Sequence, residues 1–136
     1  MTISMRHAAA IAVVALAVAG APAARAEGDK VTPVRAEKLP NVPGKSLTAV
    51  VVNYAPGGKS ASHHHAGSVF VYVLSGSIRS ENSATGPARV YKAGETFFEP
   101  PGALHTVSGS ASATEPVKAI AVMIVPEGSP LVLPAR

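Results

Sequence analysis

The chain has no cysteine in its 136 residues. Disulfides are excluded, so the fold must be held by core burial alone. Any metal site must use nitrogen or oxygen ligands. Tryptophan is absent too, and the aromatics are three tyrosines and three phenylalanines. Charged residues make up 15% of the chain, with a formal net charge of +4. The lysines and arginines are scattered from Lys30 to Lys118 and form no stripe with interleaved aromatics. That distribution argues against nucleic acid as a partner. A long hydrophobic run is also missing. The apolar stretch Ala8–Gly20 falls short of the roughly 18 residues that a membrane-spanning helix needs.

That stretch follows a start containing Arg6 and precedes the small-x-small site Ala24-Arg25-Ala26. A basic start, a short apolar run and such a site describe a secretory signal peptide over residues 1–26. The expectation is a secreted, periplasmic protein that is not membrane-bound after cleavage. No cysteine follows the apolar run to carry a lipid anchor. Glu27–Arg136 is enough for one small core. Residues 27–46 are polar and contain Pro33, Pro40 and Pro43, which reads as an extended N-terminal arm.

From residue 47 the sequence is a series of short β-branched runs. Leu47–Tyr54 ends at Pro56-Gly57-Gly58, Val69–Leu74 ends at Gly76, and Thr96–Glu99 ends at Pro100-Pro101-Gly102. Val117–Val125 is the last, and residues 127–136 form a prolyl tail. Short strands at such intervals predict an all-β sandwich or barrel over residues 47–126.

Four histidines follow the leader: His63, His64, His65 and His105. Side chains in a strand alternate sides, so His63 and His65 share a face and His64 points away. Two imidazoles one residue apart can reach one ion, and neutral imidazole suits zinc, copper, iron and nickel.

The frame around them carries a resemblance. Gly57, five residues, His63, one residue, His65 and then Gly76 after a β-branched strand resembles the first cupin motif. Gly94, five residues, Pro100, one residue, Gly102, two residues and His105 resembles the second. The resemblance implies a double-stranded β-helix, or jelly-roll barrel. It also implies that His63, His65 and His105 converge on one divalent transition metal. Iron(II) is the first choice, with manganese, nickel, zinc and copper as alternatives. Gly57, Gly58 and Gly94 are expected at turns with positive φ.

The pattern is also broken. The family's usual glutamate ligand would fall at Val69 or Phe70, and the asparagine of the second motif falls at Gly109. Three arrangements are compatible with this. The three histidines stand as an open triad; Glu99, the acid nearest the frame, supplies a replacement carboxylate or an acid–base group; or the site is vestigial. Phe70, Tyr72, Phe97 and Phe98 are assigned first to the core, with Tyr72, Phe97 and Phe98 as the possible pocket wall. The implied function is a dioxygenase-like enzyme acting on a small organic substrate. A metal-dependent isomerase or lyase, or a non-catalytic binding module for a small molecule or metal, is the alternative. A homodimer is expected, paired through the 27–46 arm.

Overall fold

The computed structural model describes residues 29–136. The segment read as a signal peptide lies outside them. Every described element is a strand: β1 Asp29–Lys38, β2 Lys45–Tyr54, β3 His63–His64, β4 Ser68–Ser75, β5 Ser77–Asn82, β6 Gly86–Lys92, β7 Thr96–Glu99, β8 His105–Ser110, β9 Val117–Pro126 and β10 Leu133–Pro134. They form two five-stranded sheets, ordered β1-β2-β9-β4-β7 and β10-β3-β8-β5-β6. All pairings within both sheets are antiparallel. The two sheets make the expected jelly roll.

Alternation along the strands decides what faces inward. In β9, Val117, Ala119, Ala121, Met123 and Val125 are buried, with the residues between them more exposed. Val50 and Tyr54 of β2 and Val69, Val71 and Val73 of β4 join them in one apolar cluster. The rows are made of small and β-branched side chains, which suit a pleated surface. They also leave the interior partly hollow.

Within the extended 27–46 segment, Asp29–Lys38 is a strand paired with β2 of its own chain. It is exposed along its whole length, so it shows no alternation by which the sequence would betray it. In the C-terminal tail, Leu133 and Pro134 pair with His64 and His63. Phe70, Tyr72 and Phe98 are neither core nor pocket wall. They lie on the outer face, exposed at 45%, 38% and 49%. The valines of β4 take the inward positions, and period-two alternation then sends Phe70 and Tyr72 outward. Phe98 is the register partner of Phe70 and shares its face.

Turn chemistry agrees with the motif glycines. Gly57 and Gly94 have positive φ, and Gly58 does not. Gly102 also has positive φ, and its N–H donates to His65 O at 2.8 Å. That bond ties the second motif to the first.

Candidate metal centre

The ladder explains how the histidines meet. His63 and His105 are direct register partners on β3 and β8, so their side chains stand on one face. His65 is two residues beyond His63 and returns to that face. Ring centroids lie 4.9 Å apart for His63 and His65, and 5.1 Å apart for His63 and His105. All three are buried, and each offers a nitrogen within 4.8 Å of the others. His64 is half-buried and opposes Leu133, away from the cluster.

Backbone carbonyls fix two of the rings. His63 Nδ1 donates to Ala61 O at 2.8 Å, and His65 Nδ1 donates to Leu131 O at 2.5 Å. A carbonyl only accepts, so Nδ1 carries the proton and Nε2 keeps its lone pair. Such outer partners orient metal-binding imidazoles and raise their basicity. His105 is held by Ser80, whose Oγ lies 2.8 Å from Nε2. This leaves His105 Nδ1 facing the cluster.

Glu99 enters from the opposite sheet. It ends β7, is 3% exposed, and places Oε2 3.1 Å from His105 Nδ1 and 3.7 Å from His65 Nε2. Neither Glu99 Oε2 nor His105 Nδ1 has an aligned hydrogen-bond partner. Two buried polar atoms without partners, aimed at the spot faced by the free Nε2 atoms, are the donor set a cation requires. Imidazole nitrogens with one carboxylate oxygen suit a divalent transition metal. The residues therefore fit the group that the resemblance implies, and the cluster suggests a metal site.

Register also resolves which position lost the usual glutamate. Phe70 points outward, so the inward position is Val69, and Val69 is the direct partner of Glu99. Glu99 on β7 thus offers a carboxylate to the histidines from the position beside Val69 of β4.

The electrostatics follow from burial and proximity. Burial pushes the Glu99 carboxyl up, but the imidazoles of His105, His65 and His63 outweigh it, and the group titrates below its ordinary value. Burial lowers His63 from its ordinary value, helped by the neighbouring His105 and His65 and opposed by the bond to Ala61 and by Glu99. Both shifts favour a neutral imidazole beside a carboxylate, the ligand forms a metal takes.

The cluster opens into a cavity of about 330 Å³. Phe97 lines it, as expected, with its ring 6.1 Å from that of His105. Tyr72 and Phe98 do not. The sequence reading missed Tyr54, Ser80, Ser108 and Leu131. Tyr54 was legible, since it shares parity with Val50 and Val52. Ser108 was not, because a β-bulge intervenes. Glu81 pairs with Val107 and Asn82 pairs with His105, so Thr106 is extra. The bulge turns both His105 and Ser108 inward although they are three residues apart.

A jelly roll with a histidine cluster at the mouth of its cavity defines a cupin-type barrel. The chain belongs to the cupin domain family, whose model matches residues 50–123. Solved structures share the fold. The DMSP lyase DddQ from Ruegeria pomeroyi is 20% identical with a TM-score of 0.56, over 65% of this chain and 43% of that one. KdgF from a Halomonas species is 20% identical with a TM-score of 0.55, over 74% of this chain and 82% of that one. An oxalate oxidase in complex with the substrate analogue glycolate is 24% identical with a TM-score of 0.57, over 78% of this chain and 54% of that one. The chain thus spans less than half the length of the DddQ chain and about half that of the oxalate oxidase. No curated protein sequence matches it significantly.

Proposed function

We propose that this protein is a metal-dependent enzyme of the oxygenase class that acts on a small organic substrate. The metal is held by His63, His65 and His105, with Glu99 as fourth ligand. The observation that carries this reading is the convergence of three imidazoles with the unpartnered Glu99 carboxylate on one buried point beside a ligand-sized cavity. Iron(II) is the proposed ion; when bound, it supplies redox chemistry with O₂.

The chain's own residues do the rest. The carbonyls of Ala61 and Leu131 and the hydroxyl of Ser80 keep the rings aimed. The carboxylate of Glu99 offsets the charge of the cation. Apolar side chains such as Val71 and Phe97 exclude water from the ligand's body. Met1–Ala26 directs export, so the enzyme works in the periplasm. Two copies pair through the 27–46 arm, whose strand β1 lies at the edge of its sheet with one side paired to β2.

The test is metal analysis of protein purified without added metal, followed by oxygen uptake with candidate phenols and thiols. Stoichiometric iron with turnover is expected. Tight metal without turnover would make the barrel a binding module, and absence of metal would overturn the site itself.

A further inference from the structure

The same cavity is also bordered by Asp29, Tyr54, Ser60 and Ser108. These four come from β1, β2, the β2–β3 connection and β8, and they form one hydrogen-bonded chain. Ser60 Oγ donates to Asp29 Oδ2 at 2.8 Å. Tyr54 Oη lies 2.8 Å from Ser60 Oγ and 2.7 Å from Ser108 Oγ.

The direction of every bond in this chain is determined. A serine hydroxyl has one hydrogen, and that of Ser60 goes to Asp29. Ser60 must therefore accept from Tyr54, which commits the phenol hydrogen. Tyr54 Oη in turn accepts from Ser108, which commits the last hydrogen. Ser108 Oγ is left with lone pairs alone, and so is the remaining side of Tyr54 Oη. Both residues are buried, at 7% and 3% exposure. Burial also pushes the Tyr54 phenol up, against its bonds to Ser108 and Ser60, so it keeps its hydrogen.

We propose that Ser108 and Tyr54 form an acceptor-only subsite that selects ligands carrying a hydroxyl or amine hydrogen-bond donor, with Asp29 fixing its polarity from the rim. The inference deepens the enzyme reading and rests on it for the ligand's other end. The substrate class becomes a small molecule with a metal-binding oxygen group, an apolar body and a separate donor that reaches Ser108 and Tyr54. A methoxy, ether or carboxylate group in that place would meet lone pairs facing lone pairs.

Asp29 is a positioning residue here, because it acts on the ligand through two hydroxyls. It is also exposed on an edge strand, so its replacement spares the core. In Asp29→Ala the hydrogen of Ser60 is released, the chain can reverse, and Ser108 becomes able to donate. The preference for a donor is then lost while the cavity keeps its shape. Ser108→Ala removes the acceptor itself.

The experiment uses two probe pairs that differ only in a hydroxyl or a methoxy group. They are 4-hydroxybenzoate with 4-methoxybenzoate, and the longer 3-(4-hydroxyphenyl)propanoate with 3-(4-methoxyphenyl)propanoate. Binding is read by calorimetry on cobalt(II)-loaded and metal-free protein, with metal content measured alongside. In at least one pair the hydroxyl probe should bind about tenfold tighter, the worth of one well-made buried hydrogen bond. In Asp29→Ala and Ser108→Ala the ratio should fall below about threefold, with metal content unchanged. Equal binding within both pairs, or a ratio that survives both substitutions, overturns the subsite, as does a metal-loaded protein that binds no probe. A protein that holds no metal yet keeps the preference sinks the metal reading and leaves the subsite standing. Loss of both metal and probe binding sinks the two together.

Discussion

The role of the Glu99 carboxylate can be tested by exchanging it with its register partner Val69. Val69 and Glu99 are register partners on the inward face of β4 and β7. Directly opposed residues have Cβ atoms about 5 Å apart. A glutamate side chain can span much of that distance, so Val69→Glu combined with Glu99→Val should return a carboxylate to the same histidines. Each single change breaks the arrangement differently. Glu99→Val removes the oxygen now 3.1 Å from His105 Nδ1. A bond to a charged group is worth about 1.5–3 kcal/mol, and tenfold in affinity is about 1.4 kcal/mol, so metal affinity should fall roughly 10- to 100-fold. Metal-free Glu99→Val should lose about 1–3 kcal/mol at pH 7, since it leaves the buried His105 Nδ1 without its carboxylate neighbour. Val69→Glu alone sets two buried carboxylates side by side and should destabilise the metal-free protein by about 2–4 kcal/mol. The double variant should recover affinity to within about tenfold of the parent. The assay is competitive titration of cobalt(II) against a chelator, with urea unfolding of each metal-free variant. Unchanged affinity in Glu99→Val would refute Glu99 as a ligand. A folded double variant no better than Glu99→Val would refute the geometry of the exchange.

Acid should weaken the metal-free protein. His63 is lowered from 6.5 and Glu99 from 4.5, so in both cases the unfolded chain takes up the proton first as pH falls. Their contributions are full above those unfolded values and drain below 6.5 and then below 4.5; urea unfolding between pH 7.5 and 4 should show steady loss, and a flat profile would contradict it. Gly76 should tolerate replacement far less well than Gly94. Both have positive φ, but a Cβ at Gly76 would sit 2.3 Å from Pro116 O, whereas at Gly94 it meets nothing within 4 Å. Thermal unfolding should show Gly94→Ala costing about 1–2 kcal/mol, for backbone strain alone, and Gly76→Ala clearly more. Truncation after Gly128 removes the carbonyl of Leu131 that holds His65 Nδ1 and should lower cobalt(II) affinity about 10-fold or more with the barrel still folded; undiminished affinity would show that the tail does not orient the ring.

The parts legible in the sequence are those with a local code. β-Branched content in Val69–Leu74 and Val117–Val125 marks strands, and the period of two in a strand sets His63 and His65 on one face. The glycines and the Pro100-Pro101-Gly102 turn mark the corners. What stayed hidden depends on pairing between distant residues. Glu99 is legible as the acid nearest the frame, but its place beside Val69 emerges only when β7 is laid against β4. Asp29–Lys38 has no buried face, so nothing in its composition distinguishes a covering edge strand from a loose arm. The carbonyl of Leu131 carries no side-chain signature at all. Aromatic bulk misled in the case of Tyr72 and Phe98, because size suggests core while parity sends both outward.

The choice of small inward residues is the point at which fold and function meet. Ala119 and Ala121 sit in the middle of β9, the strand flanked by β2 and β4, with Val50, Val52, Val71 and Val73 on either side. Every methylene added there and buried would contribute about 0.8 kcal/mol. The roughly 330 Å³ left open therefore represents stability that the sequence forgoes, in a domain without a single disulfide to compensate. A barrel under selection for stability alone would close on itself with leucine and phenylalanine. Here the hollow borders both the three histidines with their carboxylate and a hydroxyl chain of fixed polarity. Each polar group has its own partners: Ala61, Leu131 and Ser80 for the rings, and Asp29 for the hydroxyls. Groups partnered in this way do not need to collapse onto each other to be satisfied, so the space between them stays open to a ligand.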